Sequence, residues 1–176
     1  LGSLILIIVK SFNLNWQPHY LKYKDNYKNG GFEFIGTSLI LLLIVLCTML
    51  SLTYPYIIQI KLNSFYVIGK DFWAGARVIP VIAFSYLFYG LFVLQMPSVY
   101  LKNKQTWLPI FWGSAFLINI GGNILLIPLF SYMGAAISTL ISYVFLSFFL
   151  VFKNRSWMPL KYDIKNIFVL SVLSVL

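Results

Sequence analysis

The sequence predicts an all-α fold, a polytopic membrane helix bundle of about six transmembrane segments, the first and last of them truncated. Three observations predict it. Of the 176 residues, 60% are apolar and 10% charged, against about 45–50% and 25% in an average soluble domain. Four acidic residues cannot solvate a globular surface of this length, and a soluble chain this apolar would expose large sticky patches. The basic residues stand in short clusters between long apolar runs, as in the loops that flank membrane helices. The same distribution excludes nucleic acid as the partner of the +9 net charge and makes membrane lipids the surroundings.

A spanning helix needs about 20 mostly apolar residues. The first candidate covers approximately 1–16 and leads into a polar loop with Lys22, Lys24 and Lys28. The second covers 34–58 and holds an unbroken aliphatic run from Leu39 to Leu46. Residues 59–77 mix Lys61, Lys70, Asp71 and Arg77 with Phe65, Tyr66, Phe72 and Trp73. Aromatic rings prefer the headgroup level, so this stretch is expected to lie at the interface. The third span covers 78–100, with Pro80 near its start and Pro97 near its end, where a kink is expected. A short loop with Lys102 and Lys104 leads to the fourth span, 107–127. An uncharged connection, 128–133, joins it to the fifth, 134–152. A basic segment precedes the sixth, 167–176, whose ten residues would span about 15 Å, half a hydrocarbon core. We expect a fragment of a longer protein. A signal peptide is not expected, because Asn13, Asn15, Trp16 and Pro18 replace a small-residue cleavage site.

Lys and Arg number three, three, two, zero and four in successive loops. That bias places the odd loops in the cytoplasm.

The single Cys47 lies in an apolar run, which excludes a disulfide framework and a thiolate cluster. His19 is the only histidine, so no two-histidine metal site is expected. It follows Pro18 at the expected helix end and reads as interfacial. Asp25, Glu33, Asp71 and Asp163 all fall in loops or at helix ends. No carboxylate pair, phosphate loop or nucleophile–base arrangement stands out, so neither catalytic residues, an enzyme nor a cofactor is expected.

Lys10 is the sharpest residue. It lies about 15 Å along the helix from Tyr20, near the midplane. A cation at that depth usually faces protein or a wet cavity. It reads as a site for an anionic substrate, or as a lysine that snorkels from a shifted helix. Asn13 and Asn15 add polarity to the segment. In the fourth span, Asn119 and Asn123 stand one turn apart; in the fifth, Gly134, Ser138 and Ser142 repeat at intervals of four. Small residues at that spacing let membrane helices approach closely. The asparagines read either as packing polar groups or as the lining of a wet pathway.

Several runs carry a family resemblance. Asn119-Ile-Gly-Gly-Asn123 through Leu126-Ile127-Pro128, then Met133-Gly134-Ala135-Ala136 to Thr139 and Ser142-Tyr143, resembles the "N…LIP…GAA…T…SY" hairpin of polysaccharide flippases. Residues 78–90, ending in Tyr100-Leu-Lys102-Asn-Lys104, resemble the preceding helix. Asn15-Trp16-Gln-Pro18 resembles the "AW-P" signature, with Asn15 in place of alanine. The family is the Wzx-type oligosaccharide flippases of the multidrug/oligosaccharidyl-lipid/polysaccharide exporter superfamily.

The resemblance implies an incomplete C-terminal lobe of a two-lobe transporter, with the N-terminal lobe missing; the six segments would be roughly helices eight to thirteen of fourteen. It implies translocation of a polyprenyl-diphosphate-linked oligosaccharide across the bacterial cytoplasmic membrane by alternating access. Lys10 would bind the diphosphate or an acidic sugar. Asn13, Asn15, Gln95, Asn119 and Asn123 would be polar cavity contacts. The alternatives are a cation-coupled drug exporter or a peptidoglycan-precursor flippase of the same superfamily, or, from another class, a membrane glycan polymerase or acyltransferase.

Overall fold

The structure, a computed structural model, describes residues 1–23, 31–62, 65–66 and 68–157. These residues form five helices: α1 Leu4–Tyr23, α2 Gly31–Ile57, α3 Val78–Leu101, α4 Leu108–Phe130 and α5 Tyr132–Trp157. Between α2 and α3 lie two antiparallel strands of two residues each, β1 Lys61–Leu62 and β2 Phe65–Tyr66, and short 3-10 turns at Lys70–Phe72 and Ala74–Arg77. The all-α class follows.

Four helical stretches are long and apolar enough to cross a membrane: Glu33–Ile57, Ala74–Leu101, Gln105–Phe130 and Tyr132–Trp157. They mark the chain as a membrane protein. Among the described residues there are four such stretches. The first expected span is helical, but Lys10, Asn13, Asn15 and Gln17 leave it less apolar than the other four. The sixth, 167–176, lies outside the described residues, as do Lys24, Asp25, Lys28 and Asp163.

Helix α3 is the hub. On one side it packs against α1 and α2, on the other against α5, and α4 lies against α5. Two apolar cores flank the hub. One joins Ile5, Val9, Leu43 and Cys47 to Ala83 and Leu94. The other joins Phe92 and Val99 to Phe111, Ala115, Leu146 and Leu150. Close approach depends on missing side chains. A Cβ at Gly90 would stand 2.7 Å from the Leu43 Cδ1 and 3.3 Å from the Val9 Cγ2. One at Gly134 would strike the Leu126 backbone carbonyl, and one at Gly122 the Ser138 hydroxyl.

Several boundaries differ from the sequence reading, each with a local cause. Helix α1 runs through Pro18 to Tyr23, because Trp16 and Tyr20, on either side of the proline, are both buried and their rings meet at 5.3 Å, tilted by 60°. Helix α4 absorbs Pro128 in its last turn, where a proline costs one intrahelical bond. The expected six-residue connection after it shrinks to Ser131, at φ 53°, whose amide donates to the Ile127 carbonyl at 2.7 Å. Helix α5 continues past Phe152, because Asn154 is buried and the Trp157 ring meets Trp107 at 5.8 Å and Phe111 at 6.4 Å. Lys153, expected to open a basic loop, instead lays its ammonium 4.1 Å from the Trp107 ring centroid.

Candidate functional site

The polar residues of these apolar helices fall into three groups. The first lies on α1. Lys10, Asn13 and Gln17 recur at intervals of three and four and so share one side of the helix. Lys10 is exposed, as are Ile7 and Leu14 beside it. Asn13 is half-buried, and its Oδ1 has no hydrogen-bond partner among the described residues. A groove of about 340 Å³ opens here, lined by Asn13, Leu14, Gln17, Pro18 and Leu21. Pro18 has no amide proton to offer the Leu14 carbonyl one turn back. The groove therefore gathers acceptors beside a primary amide, with a cation one turn away. Asn15 is exposed, but five residues from Lys10 it lies on a different side of α1. The opposite side of α1 is anchored: the Trp16 indole donates to the Leu94 carbonyl at 3.2 Å. Near the helix end the half-buried His19 ring lies over Tyr23 at 4.9 Å.

The second group clasps α3 to α5. The Asn154 amide donates to the Gln95 Oε1 at 3.3 Å. The Ser98 hydroxyl lies 2.7 Å from the Asn154 Oδ1 and 2.6 Å from the Gln95 carbonyl, so its one proton is shared between two acceptors. The Gln95 amide donates to the Leu91 carbonyl at 3.1 Å. All three side chains are buried. A satisfied network of this kind holds two helices together. Gln95, expected as a cavity contact, sits in this clasp.

The third group joins α4 to α5. The Asn123 amide donates to the Asn119 Oδ1 at 3.1 Å, and the Asn119 amide reaches the Thr139 hydroxyl at 3.5 Å. The Ser138 hydroxyl donates to the Asn119 carbonyl at 2.7 Å, in the space that Gly122 leaves open. The Asn123 Oδ1 is buried without a hydrogen-bond partner among the described residues.

No hydrogen bond joins one group to another among the described residues. The structure thus pairs Asn119 with Asn123, aligns Lys10 with Asn13, and sets Asn15 and Gln95 apart from both. Sequence reasoning missed Ser98 and Asn154. Asn154 had a signal: seven residues after Ser147, it shares the buried side of α5 that meets α3, whereas Ser138 bonds to α4 on the other side. Among the described residues no group of three His, Cys, Asp or Glu side chains could hold a metal ion. Compared with known proteins, the chain matches no family model, no curated protein and no solved structure.

Proposed function

We propose that the chain belongs to a transporter that moves a lipid-linked oligosaccharide across a bacterial cytoplasmic membrane for cell-surface polysaccharide synthesis. In this proposal it forms most of a C-terminal lobe with six membrane segments: the four apolar helices, α1, and a further one near residues 167–176. An N-terminal lobe of the same protein completes the cavity, and the lobes rock about the substrate. The observation that carries the proposal is the polar side of α1. A helix packed into an apolar bundle aligns Lys10 with Asn13 and Gln17, and those two amides line a groove together with Leu14, Pro18 and Leu21.

Sugar and diphosphate cannot cross hydrocarbon without replacement of their hydration. An ammonium in a wet cavity attracts the diphosphate, while amides satisfy hydroxyls and the polyprenyl tail stays in the bilayer.

The test is complementation of a flippase-deficient strain with the complete reading frame, with protein level measured in parallel. Lys10→Ala should lower surface glycan export by about tenfold at normal abundance, the loss of roughly one charge-assisted contact. Lys10→Arg should keep part of the activity, because the charge survives while the geometry changes. Lys10→Glu should be worse than Ala, since a carboxylate repels the diphosphate. Full export by the Glu variant at normal abundance would rule out the substrate-charge role and leave a snorkelling lysine.

A further inference from the structure

Three tyrosines meet where an apolar bundle has least use for their hydroxyls. Tyr89 stands at the middle of α3 and Tyr143 at the middle of α5, with Tyr86 one turn before Tyr89. The Tyr143 ring lies 5.5 Å from the Tyr89 ring and 6.0 Å from the Tyr86 ring. Trp112 of α4 closes the cluster, 6.2 Å from Tyr89. All three tyrosines are half-buried, and no hydrogen bond joins their hydroxyls to another described residue.

Packing alone does not account for them. The neighbouring Phe92, Phe111 and Phe149 supply ring contacts at similar distances without a hydroxyl. In membrane proteins tyrosine concentrates at the headgroup level, where its polar tip reaches water. At mid-helix that tip is desolvated unless something polar meets it.

The cluster continues into the third polar group. On α5, Thr139 lies one turn before Tyr143. Thr139 meets Asn119, and Asn119 meets Asn123. On α4, Trp112, Asn119 and Asn123 recur at intervals of seven and four, which places them on one side of the helix. One strip thus runs along α3, α5 and α4. It carries three phenols and an indole at one end and the unpartnered Asn123 Oδ1 at the other.

We infer that the tyrosine end of this strip is a carbohydrate-binding wall, in which the rings of Tyr86, Tyr89 and Tyr143 stack a pyranose and their hydroxyls hydrogen-bond its hydroxyl groups. An aromatic face is electron-rich and attracts the weakly positive C–H face of a sugar ring. Phenols both donate and accept, which suits hydroxyl groups. The inference rests on the transporter proposal for its biology but places the glycan on α3–α5–α4, away from Lys10.

The test is photo-labelling of the complete protein in lipid nanodiscs with two probes of equal alkyl chain and diazirine. One carries a β-glucosyl head, the other a tetraethylene glycol head. Labelled peptides are mapped by mass spectrometry. The glucosyl probe should label the α3 and α5 segments carrying Tyr89 and Tyr143 at least fivefold more than the glycol probe does. Tyr89→Phe with Tyr143→Phe keeps both rings and hence the packing. That double variant should weaken glucosyl labelling about fivefold, the loss of one net hydrogen bond. Equal labelling by the two probes overturns the inference, as does a glucosyl signal that the double Phe variant leaves within twofold. Sugar labelling in a protein that never restores glycan export keeps the wall and removes the flippase proposal. Export without sugar labelling removes the wall alone.

Discussion

Helices α3 and α4 are both apolar enough to cross a membrane, yet they are held in opposite ways. Helix α3 has eleven buried residues, from Ala83 to Val99; α4 has two, Phe111 and Ala115. Helix α3 touches three long neighbours, whereas among the long helices α4 leans chiefly on α5. Apolarity decides that a helix enters a membrane, but it does not decide what the helix rests on, because lipid tails satisfy an apolar side chain as well as another helix does. Attachment comes from small residues that permit close approach and from polar groups that find one another. Helix α3 has both along its length, with Gly90 against α1 and α2 and Gln95 and Ser98 against α5. In α4 both are concentrated where Gly122 and Asn119 meet α5, and in the turn that Gly134 closes.

The contrast breaks most readily at Gly134. A side chain there meets the Leu126 backbone, which cannot move aside without opening the α4–α5 turn. Gly134→Val should cost about 3 kcal/mol, at the upper end of overpacking penalties. The expected signs are a loss of most folded protein in size-exclusion profiles and a large fall in the thermal midpoint in detergent. A variant that behaves like the parent would mean that α4 is held by something other than this hairpin.

The hub itself is tested at Asn154. Asn154→Leu keeps the volume and removes the bonds to Gln95 and Ser98. The expected loss is about 1–2 kcal/mol, because hydrogen bonds between membrane helices have modest net worth. Gln95→Leu added to it should recover part of the loss, since no buried amide is then left short of a partner. A double-variant cycle in denaturant unfolding reads the coupling. Strict additivity would show that Gln95 and Asn154 do not act together, and that α3 and α5 hold by ring and serine contacts alone.

How much of this was legible in the sequence follows the same physics. The apolar runs marked the four long helices, and α3 begins at the expected Val78 and ends one residue beyond the expected Tyr100. The small-residue stripe of Gly134, Ser138 and Ser142 marked the contact between α4 and α5. Helix ends were less legible. Pro18 and Pro128 read as terminators, but tertiary contacts at Trp16 and Tyr20, and the position of Pro128 in a last turn, let both helices continue. Asn154 was hidden for that reason: placed in a basic loop, it had no helix on which to share the side of Ser147 that meets α3. The tyrosine cluster was not legible at all. Tyr86, Tyr89 and Tyr143 are ordinary aromatic residues in sequence and become a group only when α3 and α5 pack. Lys10 was legible as a cation within a helix; that it stands beside a groove with Asn13 and Gln17 depends on which side of α1 meets α3.

The smallest expected effect lies on the open side of α4. Among the described residues nothing stands within 4 Å of a Cβ added at Gly121, nor of one at Gly113. Gly121→Ala should therefore leave stability unchanged or raise it by up to about 0.5–1 kcal/mol, the helix-propensity gain of alanine over glycine. The larger Gly121→Leu separates two surroundings. If lipid covers this side, leucine is as well solvated as its neighbours Leu117 and Leu125, and the thermal midpoint of the complete protein should stay within the error of the parent's. If another helix packs here, leucine occupies the space that glycine keeps open and the midpoint falls, while Gly121→Ala falls less or not at all. We expect no fall from either substitution, because the apolar side chains that surround Gly121 on α4, Leu117, Ile120, Ile124 and Leu125, are all exposed and bulky. Close-packed membrane interfaces favour small residues, and a lone glycine among four large side chains does not make one.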